Sequence, residues 1–420
     1  MSDLTQKLRQ LGVVKGPRAL SSPPRPTSRP PHADALPPGQ QADTPLGPCF
    51  YIEERYPLDY PHGKSALGDL LGHDQTVAAQ MAALPEPAPA ALQPLDLARV
   101  LFVDTETTGL GHGAGVMAFL TGAGYFEGDS FFLRQYFVRD PAEEPAALYH
   151  LAEWSEGFKG LVSFNGRGFD VPVLYNRFVL ARLRPSILSA PHLDLLPVSR
   201  RIWRDQLDSC ALKSLERHVL GVQRRQDDVL SWLIPELYRQ YLRGGDNGEM
   251  RQVLYHNAVD ILSLVVLAER VCRLFADPLA VAVEPRERVA LARWFQALEL
   301  PERAEAVYHV ALDGWLPLAD QNLCLQHLAR LLKRQDRRAE ALPLWIQWAM
   351  QDQGSVEAYE ELAKFYEWHE VDLEKALAWT EQGLQVAAGW SRGPRKTQAR
   401  EELQHRQARL QRKIEQASAE

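Results

Sequence analysis

The sequence predicts an α/β domain with a mixed central sheet flanked by helices, followed by an all-α domain of helical repeats. Three observations lead there. Short apolar runs rich in β-branched and aromatic residues lie between positions 100 and 165. Helical periodicity then dominates to about 275. From 286 onward the pattern is helical throughout, and it recurs at a nearly fixed spacing. With 420 residues the chain exceeds one ordinary core, so two or three domains are expected.

Taken in order, residues 1–14 read as a short amphipathic helix with Leu4, Leu8 and Leu11 on one side. Ten prolines follow in the 32 residues from Pro17 to Pro48, a composition that buries no core, so residues 1–48 are expected to be disordered. Ordered sequence resumes at CFYIEERYPLDYPHG, and residues 49–97 form an extension ending in the Pro/Ala stretch LPEPAPAALQP. The α/β domain is expected over 98–278. It opens with the strand-like LFV at 101–103, a hairpin of 116–126 and 130–138 joined by Glu-Gly-Asp, a helix over 144–157, and the apolar strand LVSFN.

The repeats are expected over 286–390. LARWFQALELPERAEAVYHVAL starts at Leu291, a second copy at Leu328 and a third at Leu362; the offsets of 37 and 34 lie near the tetratricopeptide period of paired helices. Residues 391–420 read as a basic, solvated C-terminal helix.

Composition narrows the class. Hydrophobic content of 45% with 24% charged residues is that of a soluble globular protein, and the net charge of −7 excludes a uniformly basic nucleic-acid binder. Four cysteines lie far apart without Cys-x-x-Cys spacing, which argues against a zinc site and fits a reducing compartment. No run of 18 apolar residues and no signal peptide is present, so a cytoplasmic location without membrane contact is expected.

Three segments carry candidate chemistry. In LFVDTETTGL, strand alternation places Asp104 and Glu106 on one face, where two carboxylates repel unless a cation lies between them. In FNGRGFD, Asn165-Gly166 turns the chain and Asp170 opens a helix; a plain turn and a plain cap would account for the same residues. In LYHNAVDILSL, His256 and Asp260 stand one helical turn apart, where a capping or packing pair is the bland alternative.

Together these segments resemble the motifs of the DEDD superfamily of 3′–5′ exonucleases, which have an RNase H-like fold. The first motif, D-x-E, is matched by Asp104 and Glu106; N-x-x-x-F/Y-D is matched by Asn165, Phe169 and Asp170; the late-helix motif is matched by His256 and Asp260. HLDLLPVSRRIW and SCALKSLERHVLG resemble a segment of family-B polymerase proofreading domains, and residues from about 49 to 272 are similar to the bacterial YprB-type RNase H-like family.

The resemblance implies hydrolysis of phosphodiester bonds in single-stranded DNA or RNA with two Mg²⁺ or Mn²⁺ ions. Asp104, Glu106, Asp170 and Asp260 would hold the ions, and Thr107, Asn165 and Phe169 would touch substrate. His256 takes the spacing of the tyrosine subgroup yet carries the base of the histidine subgroup, and Tyr255 has the other spacing. An imidazole is the better base at neutral pH, which favours His256 and leaves Tyr255 as the alternative. Residues 167–225 hold eleven basic and five acidic residues, a local excess of six that marks Arg200 and Arg201 as candidate phosphate contacts. A non-catalytic nucleic-acid-binding module, or a scaffold whose repeats hold a protein partner, are the readings from other classes; DNA versus RNA stays open.

Overall fold

A computed structural model describes residues 36–74 and 95–419, apart from 110, 112, 114, 227, 245–246 and 353. The helix expected over 1–14, most of the Pro-rich segment and the Pro/Ala stretch at 84–94 lie outside the described residues.

The end of the segment expected to be disordered is instead part of the sheet. Strand β1 (Gln40–Thr44) pairs antiparallel with β2 (Gly47–Pro57). The turn between them is closed by Thr44 Oγ1, which donates to the Gly47 carbonyl at 2.7 Å, and Gly47 takes a left-handed φ of 115°. Cys49 and Ile52 are buried and anchor the pair. The prolines do not interrupt the pairing: Pro37, Pro38 and Pro45 lie outside β1, and Pro48 stands before β2 begins to pair with its other neighbour at Tyr51.

A small hairpin, β3 (Pro61–His62) with β4 (Ser65–Ala66), continues the extension. The main strands are β5 (Val100–Thr107), β6 (Ala118–Glu127), β7 (Ser130–Phe137), β8 (Gly160–Ser163) and β9 (His192–Asp194). Seven strands form one mixed sheet in the order β1-β2-β7-β6-β5-β8-β9, antiparallel up to β5 and parallel from β5 to β9. The β6–β7 hairpin is the one expected from Glu-Gly-Asp. Strand β9, three residues long, gave no periodic signal.

Helices α1 (Glu144–Ser155), α2 (Asp170–Leu180), α3 (Leu195–Trp203), α4 (Leu212–Leu215), α5 (Ile234–Leu242) and α6 (Asn247–Ala276) surround the sheet, and a π-helical turn, Glu216–Leu220, extends α4. Alternation along β5 decides which core each residue enters. Val100 and Phe102 join the cluster built on α6, whereas Leu101 and Val103 join the cluster that includes α1, α2 and α5. Continuing the alternation turns Asp104 and Glu106 toward α6. The extension grips the same helix: His62 Nε2 lies 2.9 Å from Ser263 Oγ, and Ser65 Oγ donates to the buried Glu269 at 2.9 Å.

Beyond α6 the described chain is helical: α7 (Pro285–Ala297), α8 (Pro301–Asp313), α9 (Leu318–Arg334), α10 (Arg338–Gln351), α11 (Glu357–Trp368), α12 (Leu373–Gly389) and α13 (Pro394–Ala419). The recurring Leu-Ala pairs fall on the first helix of each pair. Leu291-Ala292, Leu328-Ala329 and Leu362-Ala363 are all fully buried on α7, α9 and α11. The C-terminal helix departs from the solvated one expected. Leu403 and Leu410 are buried, and Arg406, Arg409 and Lys413 all pair with Glu367, whose side chain is 0% exposed. No described helix is long and apolar enough to cross a membrane.

The core does not break between 278 and 286, where a domain boundary was expected: one cluster runs from Leu67 through Phe275 and Trp294 to Phe365. Trp203 Nε1 donates to Glu287 at 2.9 Å, and Arg270 pairs with the same carboxylate at 2.8 Å. A chain ended at Pro278 uncovers Trp203 and Phe275 and leaves Arg270 without its partner. It should melt several degrees below the full chain in a thermal scan; an unchanged Tm would show that the two parts are energetically independent.

Candidate active site

The site forms where β5 outruns its neighbour. Strand β8 pairs with β5 only as far as Phe102, so the Thr105 N–H has no strand partner on that side. Asp170, buried at the start of α2, takes it. Its Oδ1 accepts from Thr105 N at 3.0 Å and from Thr105 Oγ1 at 2.5 Å. On the other edge β5 stays paired with β6 until a register shift between Glu106 and Thr107 ends the regular ladder.

Helix α6 brings the second half. Asn257, fully buried, donates from Nδ2 to Asp104 Oδ2 at 2.8 Å and to the Asp104 carbonyl at 3.2 Å. His256, one residue earlier, points its Nε2 toward Glu106 Oε1 at 4.0 Å and Asp260 Oδ2 at 3.5 Å. Its other nitrogen, Nδ1, lies 2.7 Å from Asp228 Oδ1. With the Nδ1 proton donated to Asp228, Nε2 is left as the acceptor facing the two carboxylates, with Ser231 Oγ at 3.3 Å.

Arg224, in the loop that follows the π-helical turn, closes the site. Its Nε and Nη2 donate to the two oxygens of Glu216 at 2.6 Å each, and Nη2 also bonds Asp260 Oδ1. Asp228 Oδ2 pairs with Lys213 Nζ at 2.8 Å.

Charge is crowded here. Burial, followed by the nearby Asp260, Asp170 and Glu106, pushes Asp104 well above the usual carboxylate range, against the Asn257 hydrogen bond. Glu106 is raised by burial, Asp260 and Asp170, with Arg224 and Lys213 opposing. Asp170 is pushed up to about 6 by burial, which outweighs its bonds to Thr105. Burial also works to raise Asp228, but the bonds from Lys213 and His256 hold it below the usual range.

The ligand atoms of Glu106, His256 and Asp260 lie within 4.8 Å of one another; the two carboxylate oxygens fit a hard divalent cation, with the imidazole beside it. Asp104 and Asp170 are not in that group; each has an oxygen engaged by a neighbour, Asn257 and Thr105 respectively.

The expected substrate contacts are scattered. Thr107 is buried, with Oγ1 donating to the Gly109 carbonyl at 2.6 Å. Asn165 takes a left-handed φ of 66° in the turn, where its N–H and that of Arg167 donate to Asp194, and Phe169 precedes α2. Arg200 is exposed on α3, and Arg201 lies over the Trp294 ring of α7 at 5.7 Å. Neither arginine has a hydrogen bond or ion pair to the four carboxylates among the described residues. Tyr255 turns away from His256: its hydroxyl accepts from Arg225 N at 3.0 Å, and the Arg225 guanidinium lies over its ring. Asn257, Asp228 and Glu216 were missed by sequence reasoning. Of these, Asn257 carried a signal, as a polar residue beside His256 and within one turn of Asp260.

Residues 101–272 match a family model described as the RNase H superfamily. A Bacillus subtilis (strain 168) protein named Uncharacterized protein YprB is 31% identical over 368 residues, covering 87% of this chain and 86% of that protein.

A carboxyl whose pKa is higher in the folded than in the unfolded chain stabilises the fold at low pH. That contribution is lost as pH rises, for Asp170 between 3.8 and about 6. In chelator, Asp170→Asn should therefore gain Tm over the wild type at pH about 7.5 and little at pH about 4.5. Comparing the two proteins cancels the opposing effect of His62, His192 and His327, which burial holds near 4. A gain that is the same at both pH values would refute the raised pKa of the buried Asp170 carboxyl.

Proposed function

The chain belongs to the family that includes Bacillus subtilis YprB, with an RNase H superfamily domain over residues 101–272, and from that footing we propose that it is a divalent-cation-dependent nuclease acting as a 3′–5′ exonuclease on single-stranded DNA or RNA. The observation that carries this reading is the convergence of Glu106, His256 and Asp260 beside Asp104 at the end of β5. Burial pushes up Asp104, Glu106 and Asp170, and for Asp104 and Glu106 the neighbouring carboxylates add to it; such a cluster is costly to a fold and useful to a cation.

Glu106 and Asp260 would hold Mg²⁺ or Mn²⁺, with Asp104 and Asp170 adding charge, and the bound ion would supply a counter-charge for phosphate oxygens and ease deprotonation of water. The chain's own part is proton transfer and alignment. His256 Nε2 accepts the proton of the attacking water, while Asp228 on Nδ1 fixes the tautomer and offsets the charge that the ring acquires. Asn257 holds the Asp104 carboxylate, and Thr105 holds Asp170, so neither swings when substrate enters. The buried Leu-Ala pairs of α7, α9 and α11 support a tetratricopeptide-like stack, whose surface would hold a protein partner or a length of substrate.

Incubation with 3′- and 5′-labelled DNA and RNA in Mg²⁺, Mn²⁺ or EDTA tests the reading. A 5′-labelled strand should shorten stepwise with cation and stay intact in EDTA, and Asp104→Ala should abolish the ladder. His256→Ala should lose ~10²–10⁴-fold in kcat, and Tyr255→Phe little. Wild-type rates in Asp104→Ala would place the activity elsewhere or remove it.

A further inference from the structure

The sequence marks Arg224 and Arg225 as one basic pair, but the fold separates them. Arg225 lies over the Tyr255 ring, whereas the Arg224 side chain is 9% exposed and turned among the carboxylates. Building on the nuclease reading above, we infer that Arg224 is a fixed cation of the catalytic centre that takes the place of one of the two divalent ions, so that the centre binds a single ion.

Arg224 is anchored from behind. Glu216, itself 2% exposed, accepts from it with both carboxylate oxygens at 2.6 Å, the fork geometry that holds a guanidinium in one orientation. Its Nη1 lies 3.4 Å from Asp228 Oδ2 and 3.3 Å from His256 Nδ1, so the group spans both the base and the residue that orients it.

Asp260 then divides its two oxygens. Oδ1 is bonded to Arg224, and Oδ2 faces His256 Nε2 at 3.5 Å, on the side where Glu106 also points. One oxygen serves the arginine and the other serves the ion. An arginine does not lose its proton in a protein, so its charge is permanent. A second divalent ion on Asp260 Oδ1 would have to displace a buried guanidinium or sit against it, and like charges at contact in a poorly hydrated site repel strongly. All of its donating atoms are engaged by protein groups, so Arg224 is a positioning residue: it sets where Asp260 points and how many cations the acids admit.

Counting Mn²⁺ bound to the full-length chain by calorimetry, without nucleic acid, tests this apart from activity. One ion is expected on the wild type and on Arg224→Lys, and two on Arg224→Met, which keeps the stem and removes the charge. Two ions on the wild type, none on the wild type, or a folded Arg224→Met that still binds one would overturn the inference. If Arg224→Met does not fold, the counts on wild type and Arg224→Lys decide. A wild type that binds one ion and cleaves no labelled strand removes the nuclease reading and leaves the arginine's role as a cation in place.

Discussion

Asn257 joins the middle of the sheet to the longest of the surrounding helices, and the geometry of the site depends on that junction. Its amide is held from the sheet by Gln135, which donates to Asn257 Oδ1 at 2.9 Å, and it holds Asp104 in turn. The approach is close enough to restrict the strand beneath. A Cβ on Gly122, the β6 residue directly opposite Asp104, would lie 2.3 Å from Asn257 Oδ1, and one on Gly124 would meet Ile261 at 2.6 Å. Two bare positions on β6 therefore set the depth at which α6 crosses β5. That depth brings His256 and Asp260 within reach of Glu106.

Polar groups buried at this crossing are organised in two tiers. Close to the sheet, neutral donors from Asn257 and Thr105 hold carboxylates without cancelling their charge. Farther out, Lys213 and Arg224 pair with Asp228 and Asp260 and cancel it in part. The first tier fixes positions and the second limits repulsion. A site built only from the first would be too negative to fold easily, and one built only from the second would have little left to offer a cation.

Much of this was legible in the sequence where periodicity or spacing reports on local geometry. Alternation along LFVDTET placed Asp104 and Glu106 on one face, and the helical spacing of His256 and Asp260 put them together; both follow from backbone geometry alone. The contribution of residues 213–231 was not legible. Lys213, Glu216, Arg224 and Asp228 reach the site from a short helix, a π-helical turn and a loop, and none of these has a period to read. Strand β1 was lost for a related reason. Proline frequency reports average composition, whereas pairing at a sheet edge depends on which few N–H groups are needed.

The unbroken packing from α6 through Trp203 and Glu287 into α7 has a mechanical meaning. Arms joined by a linker sweep a volume and deliver what they hold at many distances. Here, the helical pairs are cemented to the wall of the α/β unit, so any chain gripped on them would arrive at the carboxylates with a preset span. On the proposed nuclease reading this makes the fold a gauge: the distance from the helical pairs to the carboxylates is a property of the packing and not of thermal motion.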